Sequence, residues 1–293
     1  MFRGSITALI TPFANGAVDE KAFSDLVDWQ IREGTHGLVP VGTTGESPTV
    51  THEEHRRVIE MCVDVADRRV PVIAGAGSNS TDEAISLARF AEDVGADGVL
   101  TVVPYYNKPT QEGLYQHFRA IAERVELPLI LYNVPGRTGC DLGNDIVVRL
   151  AELPNIAGIK DATGDLVRHV DLVRRLKSKP QFAFYSGNDD TALPYMLLGG
   201  HGVISVSANL APRAMAAMCR SALAGDVAQA RAQNDRLMAL HTKLFVEANP
   251  FAGKWGLAQL GKIRNALRLP MVPLSPQFHD IVRAAMQEAG AVA

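Results

Sequence analysis

Eight short apolar runs, each followed by a stretch with helical spacing, leave this 293-residue chain few folds to choose from. The runs are residues 5–10, 37–41, 70–75, 97–103, 128–133, 156–160, 182–186 and 202–206. Their interiors are continuously apolar rather than alternating, which is the pattern of a parallel strand covered on both faces. Between them apolar residues recur at helical intervals, as in Ala22, Leu26, Trp29 and Gln30 before Gly34, or Ala84, Leu87, Ala88 and Ala91 before Gly95. The two glycines read as helix stops. Eight such units in about 220 residues predict an α/β fold, a (β/α)8 TIM barrel. A doubly wound sheet would show fewer strands and a Gly-rich phosphate turn, and neither G-x-G-x-x-G after the first strand nor a P-loop is present. From Asp226 the pattern is helical only, over 226–247, 251–260 and 276–289. The expected division is a barrel over 1–225 and a C-terminal α-helical domain over 226–293, with no low-complexity linker between them.

Composition narrows the function classes. Hydrophobic residues make up 47%, charged residues 21%, and the net charge is −3, as in an ordinary soluble protein. No basic run points to nucleic acid, and no apolar stretch approaches the roughly 20 residues that cross a bilayer. Residues 1–10 lack the charged, apolar and small-residue sequence of a secretory leader, so a cytoplasmic location is expected. Cys62, Cys140 and Cys219 are odd in number and far apart, so they suggest neither a disulfide framework nor a metal site. Cys140, after Gly139, is the one that could be reactive, although no basic partner lies near it in sequence.

One lysine falls inside one of the apolar runs. Lys160, in Ile156-Ala157-Gly158-Ile159-Lys160, is the only one of eight lysines inside a strand-like run. A charged amine is costly to desolvate, and desolvation favours the neutral, nucleophilic form that makes Schiff bases with carbonyls. The alternative is a lysine whose stem lies on the sheet while its ammonium reaches water.

In a barrel of this kind chemistry sits at the C-terminal ends of the strands. The second run is followed by Gly42-Thr43-Thr44-Gly45-Glu46-Ser47 and the fourth by Pro104-Tyr105-Tyr106-Asn107-Lys108-Pro109. The fifth ends in Tyr132-Asn133-Val134-Pro135-Gly136-Arg137-Thr138, the sixth in Lys160, the seventh in Ser186-Gly187-Asn188, and the eighth in Ile204-Ser205. Singly, each reads as an ordinary polar loop residue; together they place hydroxyls, an arginine and an amine on one rim. His52-Glu53-Glu54-His55 spaces its histidines three apart and so misses the H-E-x-x-H zinc motif, and no G-x-S-x-G elbow is present. No metal is expected.

Those motifs resemble dihydrodipicolinate synthases across nearly the whole chain, from Gly4-Ser5-Ile6 to Arg268-Leu269-Pro270-Met271. The resemblance implies condensation of pyruvate with L-aspartate 4-semialdehyde in lysine biosynthesis, with no cofactor beyond a covalent imine. Lys160 matches the imine-forming lysine, Tyr132 the proton-relaying tyrosine, and Thr43 and Tyr106 its hydroxyl partners. Tyr106 would come from a neighbouring subunit of a homotetramer built as a dimer of dimers. Thr44 would hold the pyruvate carboxylate, Arg137 the semialdehyde carboxylate through its planar fork, and Gly187 and Ile204 would line the pocket. Ser47, His52, His55, Asn79, Glu83 and Tyr105 match positions where L-lysine binds in feedback-inhibited members; otherwise His52 and Glu83 merely decorate helix starts capped by Thr51 and by Ser80 or Thr81. Related pyruvate lyases, such as N-acetylneuraminate lyase and 2-keto-3-deoxy sugar-acid aldolases, share Lys160, Tyr132 and the threonine turn. Arg137 separates them, because it calls for a carboxylate-bearing aldehyde. The sequence departs from the family's usual pattern at Asp161, at Asn188 and in Phe251-Ala252-Gly253-Lys254-Trp255, the last expected to affect packing alone.

Overall fold

The computed structural model of the chain describes residues 1–292. Its strands are β1 (Gly4–Ala8), the hairpin β2 (Phe13–Ala14) and β3 (Ala17–Val18), then β4 (Gly37–Val39), β5 (Ile73–Gly75), β6 (Gly98–Val102), β7 (Leu129–Asn133), β8 (Ile156–Asp161), β9 (Ala183–Ser186) and β10 (Gly202–Ser205). All but the hairpin form one parallel sheet in the order β4-β1-β10-β9-β8-β7-β6-β5. A parallel bridge between Leu38 and Val72 completes the ring, and Leu38 N–H donates to Pro71 O at 3.0 Å. All eight expected runs are therefore barrel strands, alternating with helices.

Several strands are shorter than their apolar runs, and proline accounts for three of the ends. Pro71, Pro40 and Pro128 have no N–H to give a ladder, so β5, β4 and β7 stop short of them. Their carbonyls still accept, as when Gly75 N–H donates to Pro40 O at 3.0 Å and Val99 N–H to Pro128 O at 2.9 Å. The hairpin was not anticipated, because each of its strands is only two residues long. It turns through Asn15 and Gly16, both at positive φ (53° and 83°), as an Asn-Gly hairpin turn requires.

Alternation along the strands explains why the interiors of the runs are continuously apolar. Ile6, Val39, Ile73, Leu100, Ile130 and Ile204 point inward and fill the barrel. Their neighbours Leu38, Val72, Val99, Leu129, Leu131 and Ile159 point outward into the layer beneath the helices. Each fully buried aliphatic side chain of this kind contributes about 1.5–3 kcal/mol.

The C-terminal helices Val227–Lys243, Phe251–Gln259 and His279–Glu288 follow the expected order. Asp226 caps the first, accepting from Gln229 N–H at 3.1 Å. Leu237, Leu240, Trp255, Val282 and Met286 share one apolar core with the barrel residues Ile10 and Leu26 and the helix Pro212–Leu223. The extension is thus joined to the barrel through a continuous core. No described helix is long and apolar enough to cross a membrane.

Candidate active site and a second cavity

Lys160 lies near the end of β8, in register with Tyr132 on β7 and Tyr185 on β9. Ile159 faces the outer layer, so the two-residue period turns Lys160 inward. The side chain is only 6% exposed, and its Nζ stands 4.2 Å from the centre of the Tyr132 ring. Among the described residues Lys160 makes no ion pair. Asp161 takes the opposite face, where it accepts from Thr163 Oγ1 at 2.7 Å and Asn133 Nδ2 at 3.3 Å, with Arg168 Nε 3.9 Å away. Burial pushes the Asp161 carboxyl up, against the pull of Thr163 and Arg168. Arg168 is tied in turn to Asp141 at 2.8 Å, so this network braces the ends of β7 and β8 from outside.

Beyond β7 the chain makes one helical turn, Pro135–Thr138, closed by Gly139 at φ 68°. The turn leaves Arg137 exposed at the rim, its Nη2 donating to Asn249 O at 3.4 Å. Beyond β4 lies the 3-10 turn Thr43–Gly45, which ends at Glu46 in a left-handed conformation, φ 56°. Thr44 is buried, and its hydroxyl accepts from Asn249 Nδ2 at 2.9 Å. Thr43 instead lines a cavity of about 240 Å³ together with Tyr132, Val134, Arg137 and Thr138.

Among the residues singled out in the sequence, Thr43, Tyr132 and Arg137 therefore meet on one cavity, with Lys160 against the Tyr132 ring. Gly187 follows directly after β9, and Ile204 lies on β10. Gly187 leaves no room for a side chain, since a Cβ there would meet the Ala162 Cβ at 2.6 Å, and its N–H donates to Asp161 O at 2.7 Å. Ile204 is fully buried, in register with Ile6. Tyr106 is not gathered in: at φ 73° it stands 89% exposed.

A second cavity of about 210 Å³ adjoins the first, and Ser47, Pro48, Gly77 and Tyr105 line both. His52, His55 and Glu83 complete it. His52 Nε2 is 3.1 Å from Glu83, and Ser78 Oγ donates to the same carboxylate. His55 bonds Gly75 O through Nε2 at 2.7 Å, and burial pushes its imidazole below the ordinary value. Asn79 does not line the cavity; its Nδ2 donates to Tyr105 O at 3.2 Å and steadies that wall. Thr51 also caps the helix His52–Ala66 in a capping box with Glu54, whereas Ser80 makes no side-chain cap.

Sequence reading missed Asn249, Ser78 and the Asn133–Asp161–Arg168 network. Ser78 alone had a local signal, standing five residues before Glu83 in a Ser-rich loop. Cys140 is not activated: burial, then Asp141, push its thiol up. Among the described residues no group of three or more His, Cys, Asp or Glu is placed to hold a metal ion.

The chain matches the dihydrodipicolinate synthetase family over residues 1–289. It belongs to that family. A 4-hydroxy-tetrahydrodipicolinate synthase of Thiobacillus denitrificans is 60% identical over 288 residues, covering 98% of this chain and 97% of that one. Among solved members of the family, the chloride-inhibited dihydrodipicolinate synthase of Acinetobacter baumannii, complexed with pyruvate, superposes with a TM-score of 0.97 at 54% identity over the whole of both chains. The enzyme of Cyanidioschyzon merolae with lysine bound superposes with a TM-score of 0.95 at 39% identity, over 99% of each chain.

Proposed function

We propose that this chain condenses pyruvate with L-aspartate 4-semialdehyde, as a 4-hydroxy-tetrahydrodipicolinate synthase, through an imine on Lys160. The observation that carries the reading is a buried amine that meets no carboxylate among the described residues, set against the ring of Tyr132 at the rim that also bears Thr43 and Arg137. Lys160 attacks C2 of pyruvate, and loss of water gives the imine. The imine draws electrons from the methyl group, which loses a proton and becomes an enamine that attacks the aldehyde carbon. Tyr132 and Thr43, which line one cavity, pass the protons. The Arg137 fork takes the semialdehyde carboxylate, while Thr44 and the neighbouring backbone take that of pyruvate. With its hydroxyl held by Asn249, Thr44 offers its backbone N–H for that purpose.

The exposed Tyr106 completes the relay of a neighbouring subunit in a tetramer of two tight dimers, and no cofactor beyond the imine is required. The related sugar-acid lyases are not favoured, because eight relatives at 55–60% identity are synthases of this one kind. The second cavity is the binding place of L-lysine, whose ammonium would meet Glu83. Glu83→Ala should weaken inhibition of turnover by added lysine at least tenfold; unchanged inhibition would remove that assignment. For the chemistry, pyruvate with borohydride should add a reduced pyruvyl group to Lys160 in the mass spectrum. An unmodified Lys160 would rule out the imine.

A further inference from the structure

The motif Gly42-Thr43-Thr44-Gly45-Glu46-Ser47 supplies two substrate-facing residues, yet its glutamate faces away from both cavities. Glu46 is buried at the joint between the turns Thr43–Gly45 and Ser47–Thr49. Its left-handed backbone is one that a residue with a side chain adopts only under constraint. The constraint comes from the C-terminal extension. Lys254, on the helix Phe251–Gln259, ion-pairs with the Glu46 carboxylate, and both side chains are completely buried. The same Nζ donates to Ala266 O at 2.8 Å and lies 4.0 Å from the centre of the Phe13 ring. The other Glu46 oxygen accepts from Arg268 N–H at 3.3 Å, and the Arg268 guanidinium is held by Glu54. Burial lowers the Lys254 pKa to about 8, against the pull of Glu46 and with a push from Arg268.

A buried pair of this kind is poor as a stabiliser but strict as a locator, since neither charge can leave the other. What it locates is the 42–47 turn. Thr43 lies three residues before Glu46 and lines the first cavity; Ser47 follows it directly and lines both. We propose that Lys254 and Glu46 are positioning residues for catalysis: the extension, through this pair, sets where Thr43 stands relative to Tyr132. The Phe251–Trp255 segment, expected from the sequence to affect packing alone, thereby acts on the chemistry. The proposal rests on the function given above.

The test is the double variant Lys254→Met/Glu46→Gln, which removes both charges and leaves neither unpaired. Pyruvate trapping on Lys160 should still reach the wild-type extent at saturating pyruvate, because the amine sits on β8, although more pyruvate is needed because Thr44 moves with the turn. The kcat should fall about tenfold to a hundredfold, the scale of a small misplacement of a catalytic group, with KM for the semialdehyde within about twofold of wild type, since Arg137 is untouched. A folded double variant with wild-type kcat overturns the proposal. So does parallel loss of trapping and turnover, which would mean a general loosening of the barrel. Wild-type protein that traps no pyruvate would instead defeat the underlying function. Should the double variant not fold, Glu46→Gln alone, in which Lys254 loses the carboxylate that favours its proton, makes the same comparison at the pH of the wild-type assay.

Discussion

Two lysines of this chain are buried to nearly the same degree and are put to opposite uses. Lys160, on a barrel strand, meets an aromatic ring and no carboxylate among the described residues. Lys254, on a C-terminal helix, meets Glu46 in a closed pocket and has a backbone carbonyl for a second partner. The surroundings, not the depth, separate them. An amine with its charge satisfied resists change and can only hold a position. An amine that faces a ring and no carboxylate is left free to bond covalently with a carbonyl. The rim of the barrel therefore reacts, and the extension behind it holds the rim in place.

The same substitution at both sites gives the sharpest way to break this contrast. Lys160→Met should fold with a Tm close to wild type, since among the described residues it leaves no carboxylate without its partner, while turnover falls about a thousandfold or more with the loss of the nucleophile. Lys254→Met should do the reverse to stability. It strands the Glu46 charge in the core, a change of about 3–5 kcal/mol, or about 10 °C in Tm. Thermal melts beside initial rates decide the matter, and equal Tm losses in the two variants would erase the distinction.

Arg137 stands where the two regions meet, exposed on the barrel side and touching Asn249 of the extension. Arg137→Lys keeps the charge and loses the planar fork. KM for the semialdehyde should rise about tenfold, the scale of one charged hydrogen bond. Trapping of pyruvate on Lys160 should not change. A rise in the pyruvate KM instead would move Arg137 to the other substrate.

The barrel side of this contrast was legible in the sequence; of the extension, the helices were legible and their contacts with the barrel were not. Strands buried on both faces leave continuous apolar runs, so all eight could be found, and the residues after each run had to fall on one rim. Their ends were harder to place because Pro40, Pro71 and Pro128 are apolar yet cannot donate to a ladder. Lys160 was visible because it interrupts such a run. Lys254 was not, because its helix is apolar nearly all round and gives its lysine no distinctive neighbour; the partner that defines it lies in a motif near the other end of the chain. Asn249 escaped for the same reason, its bond to Thr44 spanning 205 positions. Tyr106 was singled out from its motif, and in a single chain it stands exposed, apart from both cavities described above.

The smallest effect lies at the outer edge of the clasp, where Arg268 grips Glu54 through both guanidinium nitrogens at 2.6 Å. Arg268 holds the Glu54 carboxyl down at about 2, below its ordinary 4.5. A carboxylate with a depressed folded value lends stability that is fully present above 4.5 and is lost as pH falls from there toward about 2. Glu54→Gln removes that contribution but keeps an oxygen for the capping box on Thr51. Because the pair is partly open to solvent, the loss should be under about 1 kcal/mol. Wild type and variant should thus differ slightly in chemical denaturation at pH 7 and converge by about pH 2. A gap that instead widened on acidification would mean that Glu54 braces the extension as a neutral group, and that the clasp, unlike the Lys254 pocket behind it, does not depend on charge.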